Sequence, residues 1–443
     1  MTFPSYPEYK PSGLAWLPEV PAHWLDRKIA RDIPFVVGWT PSSGKDEYYD
    51  GDLPWVTIAD MTQLSVDDTK SKISYLAIQD KGAKIVPVGS MLFSFKLSVG
   101  KVAFLTIDSY TNEAIAGFLP NGPLDLNYWK YAAPEFIPRY GRENIYGATL
   151  LNQELISSVR FFAPARIEQT LIARFLDHEA ARIDGLIEEQ QRLIELLKEK
   201  RQAVISQAMT KGLDPVVPMK DSGVAWIGDV PAHWDVLAAK RFFKMVAEPA
   251  PENNDFELLS VYTDIGVRPR KDLEQKGNKA STTDGYWLVK KGDLIVNKLL
   301  AWMGAVGYSD YDGVTSPAYD ILRPSRALEA KFYHYLFRGK SAQQEFKRWS
   351  RGIMEMRLRL YFDELGRIPM PFPPVSEQKK IVSFIEAMEF KFDALTQTAS
   401  EQVKLLSERR SALISAAVTG KIDVRAWQPH TSSPTLTAQA EAV

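Results

Sequence analysis

Between residues 166 and 209, Leu176, Ile183, Leu186, Leu193, Leu197, Val204 and Ala208 recur three, four or seven residues apart, with charged residues filling the intervals. That period predicts an amphipathic helix. No proline interrupts the run, and Ala, Leu, Glu, Lys, Gln and Arg, all good helix formers, dominate it. Gly185 weakens the helix by about 1 kcal/mol relative to alanine without stopping it. Lys211-Gly212 supplies a basic last turn and a C-cap. The stripe returns at Ile385, Phe392, Leu395, Val403, Leu406, Leu413 and Ala417 and closes at Gly420. Some 40 helical residues span roughly 60 Å, and so long and narrow a stripe wants a partner helix. Each run supplies the other's partner, which predicts an antiparallel coiled coil, with Gln190 and Gln402 at register-setting or surface positions.

The two stripes are copies. Pro164 to Asp214 aligns with Pro373 to Asp423 without a gap at an offset of 209, with 17 of 51 positions identical. Ser12 to Trp24 (SGLAWLPEVPAHW) matches Ser222 to Trp234 (SGVAWIGDVPAHW) at 9 of 13 positions, offset 210. The chain is therefore a tandem duplication of about 210 residues plus a tail, able to mimic a symmetric dimer within one polypeptide. Between these anchors the copies diverge. Val88 to Leu92 resembles Lys291 to Ile295 and Asp60 falls opposite Asp264, but spacings drift and most side chains differ. The middles, about 10–160 and 220–370, are mixed and strand-rich. Ile85 to Phe93 and Gly292 to Val296 are short apolar runs bounded by turn residues. Proline-rich segments, Phe161 to Pro164 and Ile368 to Pro374, lead into the helices. The expected fold is α+β: two pseudo-symmetric mixed α/β domains at 1–160 and 215–371, separated by two long antiparallel coiled-coil helices at 161–214 and 372–425, with a flexible tail over 426–443. A shared frame with individual middles suits two different targets presented to something that docks twice; relaxed selection after duplication is the alternative.

Composition narrows the chemistry. The 443 residues include no cysteine, which excludes disulfides, Cys-type zinc sites, iron–sulfur clusters and thiol nucleophiles. The histidines (His23, His178, His233, His334, His430) form no close pair, so no metal site is expected. No apolar run approaches the roughly 20 residues of a membrane span, and MTFPSYPEYK lacks a signal peptide's apolar core, so a soluble cytoplasmic protein is expected. Gly38 to Lys45 is a failed P-loop: five residues separate its glycines, and Asp46 stands where a Mg²⁺-binding hydroxyl is required. No GxSxG, GxGxxG, EF-hand, methyltransferase cofactor loop or nuclease carboxylate group is found. The expectation is a chain without an active site or cofactor of its own. The formal net charge of −1 hides a partition. Residues 1–160 are net −3 and residues 215–371 net +3, with basic residues concentrated from Arg338 to Arg359 around Trp349. That mixture suits a nucleic-acid surface or, equally, a solvated helix face.

The repeated Ser-Gly-x-Ala-Trp-x4-Pro-Ala-His-Trp motif and the boxes Glu168-Gln169 and Glu377-Gln378 resemble the specificity subunit of Type I restriction–modification enzymes. So do the segments Gly292 to Ala305 and Asp312 to Ala318. The resemblance runs from about residue 10 to 425. It implies a non-catalytic subunit in which each middle is a target recognition domain reading one half of a bipartite double-stranded DNA sequence. The helices would be a spacer, and the repeated frame would dock two modification subunits. Those are adenine-N6 methyltransferases that use S-adenosylmethionine and extrude the target base; restriction subunits add ATP- and Mg-dependent translocation and cleavage. Candidate DNA contacts in the first middle are Lys96, Lys101, Arg139, Tyr140, Arg142, Asn144, Tyr146 and Thr149. In the second they are Lys298, Trp302, Lys347, Arg348, Trp349, Arg351, Arg357 and Arg359. Gly147 and Gly352 hold equivalent places before the helices. Trp16, Trp24, Trp226, Trp234, His23 and His233, present in both copies, are assigned to packing. The acidic first domain predicts weak DNA affinity for the isolated chain. A coiled-coil protein-interaction scaffold is the alternative reading; a self-sufficient enzyme comes third.

Overall fold

A computed structural model describes residues 3–143, 149–272, 283–354 and 357–429. The two amphipathic runs form a central helix, Arg166–Lys211, and a C-terminal helix, Val375–Val418. The chain divides into two compact units, Met1–Glu189 with Gln402–Val443, and Gln190–Glu401. Each unit holds one mixed α/β domain and a part of each long helix.

In the first unit, β1 (Tyr9–Leu14) and β2 (Leu17–Pro21) form a hairpin over the repeated tryptophan motif. Next, β3 (Leu25–Lys28) pairs antiparallel with β11 (Arg160–Ala163), which delivers the chain to the central helix. The domain sheet contains β4 (Phe35–Val37), β5 (Ser65–Val66), β6 (Met91–Ser94), β7 (Val102–Leu105) and β8 (Ile115–Phe118) in the order β4-β8-β6-β7-β5. Only the β5–β7 pairing is parallel. Helix α1 (Leu126–Phe136) lies in the core of this unit, where Trp129, Phe136 and Phe161 cluster without exposure. A small ladder, β9 (Arg142–Glu143) with β10 (Thr149–Leu150), follows it.

The second unit repeats this plan. Hairpin β12 (Met219–Asp221) and β13 (Asp229–Pro231) precedes β14 (Asp235–Ala238), which pairs with β19 (Pro369–Phe372) ahead of the C-terminal helix. Strands β15 (Phe243–Val246), β16 (Leu294–Asn297), β17 (Val306–Tyr308) and β18 (Tyr319–Pro324) run antiparallel in the order β15-β18-β16-β17. That order matches β4-β8-β6-β7. Helices α2 (Ala330–Arg338) and α3 (Lys340–Trp349) follow.

The repeated Glu-Gln box explains why both long helices start where they do. Gln169 is 1 % exposed and Gln378 fully buried. The Gln169 amide donates to the Pro164 carbonyl at 2.8 Å and accepts from the Asp125 amide, also at 2.8 Å. Gln378 does the same with Pro373 and Glu329. Asp125 and Glu329 are the N-caps of α1 and α2, so one side chain ties the strand exit, the long helix and the domain helix together. Loss of a bridging amide leaves a buried carbonyl and a buried N–H unpaired. Gln169→Leu is therefore expected to lower the unfolding free energy of the first unit by about 2–3 kcal/mol, measured by urea titration; a change below about 0.5 kcal/mol would show that the clamp does not hold the unit together.

Ion pairs inside each unit tie the two long-helix segments to one another and to the domain helix. In the first, the Arg410 guanidinium donates to Asp184 at 3.1 Å and the Lys130 ammonium lies 2.6 Å from Asp177. In the second, Arg201 meets Asp393 at 2.7 Å, and Lys331 meets Glu386 at 2.8 Å. At the 209-residue offset the helix-to-helix pair is the same, Asp184 with Asp393 and Arg201 with Arg410, and so are the acidic positions Asp177 and Glu386. The two lysines come from different positions of the domain helices. Ends of the helices close onto the tryptophan motif through left-handed glycines, Gly420 (φ 76°) and Gly212 (φ 74°). A Cβ on Gly420 would stand 2.4 Å from Pro21 Cδ, and one on Gly212 would stand 3.3 Å from the Trp234 ring.

Three details differ from the sequence pattern. Leu186, Leu193 and Leu395, placed on the apolar stripe, are 37, 43 and 53 % exposed. Of the run Ile85 to Phe93, only Met91 onward is strand; Pro87 and left-handed Gly89 (φ 80°) turn the chain, leaving Val88 exposed. Trp427, assigned to the flexible tail, packs edge-on against Phe175 at 5.4 Å; residues 430–443, with His430, lie outside the described residues.

Candidate nucleic-acid interface

Lys96 and Lys101 are both exposed and flank the loop joining β6 to β7. At its foot, Ser94 Oγ accepts the Lys101 amide at 3.0 Å and donates to the Ser98 carbonyl. Arg139 and Tyr140 sit on the helical turn Ile137–Tyr140 after α1. Arg139 is ion-paired with Glu135 and lies 4.7 Å from the Trp16 ring centroid. The Tyr140 hydroxyl accepts the Arg160 amide at 3.1 Å and donates to the Arg160 carbonyl at 2.8 Å, fastening this turn to β11. Arg142 is exposed on β9 and Thr149 half-buried on β10. Asn144, Tyr146 and Gly147 lie outside the described residues. The first set thus falls into two groups, one on the β6–β7 loop and one around the β9–β10 ladder.

The second set converges more closely. Lys298 leaves β16 and donates to the Pro317 carbonyl at 2.9 Å, 3.3 Å from the Asp320 carboxylate. Burial raises the Asp320 pKa above the usual carboxylate range, and Lys298 opposes it. The Trp302 indole donates to the Leu299 carbonyl at 3.0 Å, and the Lys347 ammonium stands 5.1 Å from its ring centroid. Arg348 and Trp349, at the end of α3, share Glu345 at 3.0 and 2.7 Å. Arg351 pairs with Glu364 and forms a two-way backbone bridge with Arg359, both bonds at 2.9 Å. The next amide, Leu360, donates to the Lys298 carbonyl at 2.9 Å and returns this segment to the β16 loop. Gly352 (φ 147°) makes the bridge possible, since a Cβ there would meet the Arg357 carbonyl at 2.6 Å. Arg348, Arg351, Arg357 and Arg359 are exposed. Arg338, the first of the basic run, is turned inward: its guanidinium donates to the carbonyls of Tyr262, Thr263, Asp264, Gly304 and Val306, and burial lowers its pKa.

The packing assignments are explicit in the structure. Trp24 and Trp234 are fully buried, and Trp16 and Trp226 pack against the cores of their units. His23 Nε2 lies 2.8 Å from the Glu168 carboxylate and His233 Nε2 lies 2.7 Å from that of Glu377, the same pair twice. Among the described residues no cluster of histidine and carboxylate side chains could hold a metal ion, and no helix is long and apolar enough to cross a membrane.

The chain matches the Type I restriction modification DNA specificity domain over residues 36–197 and 231–405. It is 27 % identical over 187 residues to the Type I restriction enzyme MjaIX specificity subunit of Methanocaldococcus jannaschii, covering 41 % of this chain and 42 % of that protein. With the EcoDI specificity subunit of Escherichia coli the identity is 22 %, over 65 % of this chain and 68 % of that one. With the putative MjaX specificity subunit of M. jannaschii it is 21 %, over 92 and 95 %. Two solved structures share the fold: the HsdS subunit from Thermoanaerobacter tengcongensis (TM-score 0.54, 12 % identity, 91 % of this chain and 98 % of that one) and a chain from a study of complex assembly and conformational transition in the type I R-M system (TM-score 0.60, 14 % identity, 91 and 99 %).

Proposed function

The chain belongs to the Type I restriction modification DNA specificity domain family, and on that premise we propose that it selects the DNA sequence on which a multisubunit restriction–modification enzyme acts. Residues 1–160 and 215–371 each read one half of a bipartite double-stranded target. The long helices set the spacer between the halves and, with the repeated frame, dock two modification subunits; restriction subunits join the same complex. This chain selects and does not catalyse: S-adenosylmethionine, ATP and Mg belong to the partner subunits, and the complex works in the cytoplasm.

The observation that carries this reading is one frame holding two different sites. Identical Glu-Gln clamps and ion pairs recur at a 209-residue offset, while the loops on the two sheets differ in length, charge and side chains. Sequence reading needs donors and acceptors facing base edges in the major groove, where Arg and Lys favour guanine. Phosphate contacts give affinity and register. Lys96, Lys101, Arg142 and Thr149 in the first domain, and Lys347, Arg348, Arg351, Arg357 and Arg359 in the second, supply these groups. Arg139, Tyr140, Lys298, Trp302 and Trp349 hold the loops that present them.

Exchange of residues 215–371 for those of a relative with another target tests the reading. Sequencing of methylated bases in cells carrying the chimera and its modification subunits should show one half of the target replaced and the other retained. Methylation unchanged by the exchange would instead favour a protein-interaction scaffold.

A further inference from the structure

Leu97, at the tip of the β6–β7 loop, is 97 % exposed and holds a left-handed backbone, φ 61°. Leucine rarely adopts that conformation, and nothing in this unit covers its side chain. The loop that imposes it is rigidly built. Ser94, fully buried, exchanges backbone bonds with the Lys101 carbonyl (3.0 Å) and the Gly100 amide (2.9 Å), and its hydroxyl spans the loop from Ser98 to Lys101. Phe95, 2 % exposed, anchors one side in the core, and Val99 packs against the same core on the other. An aliphatic residue at position 97 therefore has no packing task within the unit, and a strained conformation persists where surroundings enforce it for a purpose.

The second domain also ends the equivalent strand on a polar residue, Asn297, whose side chain makes a local turn rather than a loop-spanning staple. The Asn297 amide donates to the Ala305 carbonyl at 3.0 Å, and its side-chain oxygen accepts the Leu299 amide at 3.0 Å. There, however, the apolar side chains are drawn back: Leu300 is 39 % and Met303 47 % exposed, with Trp302 folded onto the loop carbonyl of Leu299. Only the first copy of this loop pushes an aliphatic side chain fully into solvent. Lys96 and Lys101, both exposed, stand on either side of it, and among the described residues neither ammonium has an ion-pair partner.

We infer that the β6–β7 loop is a wedge that inserts Leu97 between adjacent base pairs of the half-site read by the first domain, with Lys96 and Lys101 on the flanking phosphates. Apolar wedges of this kind unstack a base step and bend the duplex, so the step's deformability enters the specificity. The inference rests on the proposed DNA-reading function. Leu64 and Val102 line a groove at the loop's foot together with Gly100, so the test must also separate contact with DNA from contact with a protein.

The full chain, assembled with its modification subunits, is titrated with duplexes carrying its methylated target, with 2-aminopurine placed at successive steps of the first half-site. The parent should show a fluorescence rise at one step apart from the adenine that the modification subunits extrude. Leu97→Gly, which suits the left-handed backbone and removes only the side chain, should abolish that rise and weaken target binding by about tenfold or more, while binding an unrelated duplex as the parent does. Leu97→Met should restore both signals. The wedge is overturned by a parent without that rise, by a Leu97→Gly complex that binds and fluoresces like the parent, or by a Leu97→Gly chain that loses its modification subunits on size exclusion. A parent that directs methylation to no bipartite target overturns the DNA-reading function and the wedge with it; a parent that does, beside a silent Leu97→Gly, overturns the wedge alone.

Discussion

Replacing Trp24 with alanine is expected to cost the first unit about 5 kcal/mol of unfolding free energy, and Trp234→Ala about 4 kcal/mol in the second. Both rings are fully buried, so each truncation opens a large cavity. The difference lies at the indole nitrogen. Trp24 Nε1 donates to Glu168 at 3.2 Å, beside the Tyr6 hydroxyl at 2.7 Å and His23 at 2.8 Å. Burial and the Glu168 carboxylate together push the Tyr6 hydroxyl pKa up, so it stays a donor to that carboxylate. Trp234 Nε1 has no partner among the described residues. Loss of Trp24 thus removes a charge-assisted bond as well as the packing, worth roughly 1–2 kcal/mol more. It also removes the ring against which Gly420 closes the end of the C-terminal helix. Guanidinium unfolding followed by hydrogen exchange in each unit separates the two costs. Equal losses for the two alanine variants, or a Trp24→Phe variant no more costly than Trp234→Phe, would show that the Glu168 bond contributes nothing.

The frame is legible in the sequence because duplication prints it twice. Glu168-Gln169 and Glu377-Gln378 stand out from a string of letters, and their shared chemistry needs only the two N-caps they reach. The helix stripe is legible as a period but not as a face. From Ile183, steps of three and seven lead to the exposed Leu186 and Leu193, whereas steps of four, seven and three lead to the less exposed Ile187, Ile194 and Leu197. Spacing alone admits both. Arg338 lies in a basic run that looks solvated, yet five carbonyls from the segments 262–264 and 304–306 draw it inward, and no local pattern encodes a partner so distant in sequence. Leu97 gives no sequence signal either: its left-handed backbone follows from the staple Ser94 makes across the loop. Charge density marks only the part of the second set from Lys347 to Arg359; the Arg351–Arg359 bridge and the Leu360–Lys298 bond bring that segment to the loop that carries Lys298 and Trp302.

Acid should weaken the second unit before the first, because of His334. This side chain lies on α2, and its Nδ1 accepts the Tyr308 amide of β17 at 3.2 Å. Burial and the neighbouring cations Arg338, Lys331 and Arg268 push its pKa down to about 3 from an ordinary 6.5. Protonation would place a second donor against the Tyr308 N–H, so the fold tolerates only the neutral ring. The folded pKa lies below the unfolded one, so the unfolded chain binds the extra proton. Stability is therefore complete above pH 6.5 and falls as the pH drops from 6.5 toward 3, by up to about 1.4 kcal/mol for each pH unit. Between pH 6.5 and 5 the expected loss is about 2 kcal/mol. His334→Gln keeps an acceptor for Tyr308 and cannot titrate, so its urea midpoint should stay level over that range while the parent's falls. Exposed carboxylates protonate below this window and affect both chains alike. Parallel pH profiles for parent and His334→Gln would show that His334 binds its proton equally well in the folded and unfolded chain.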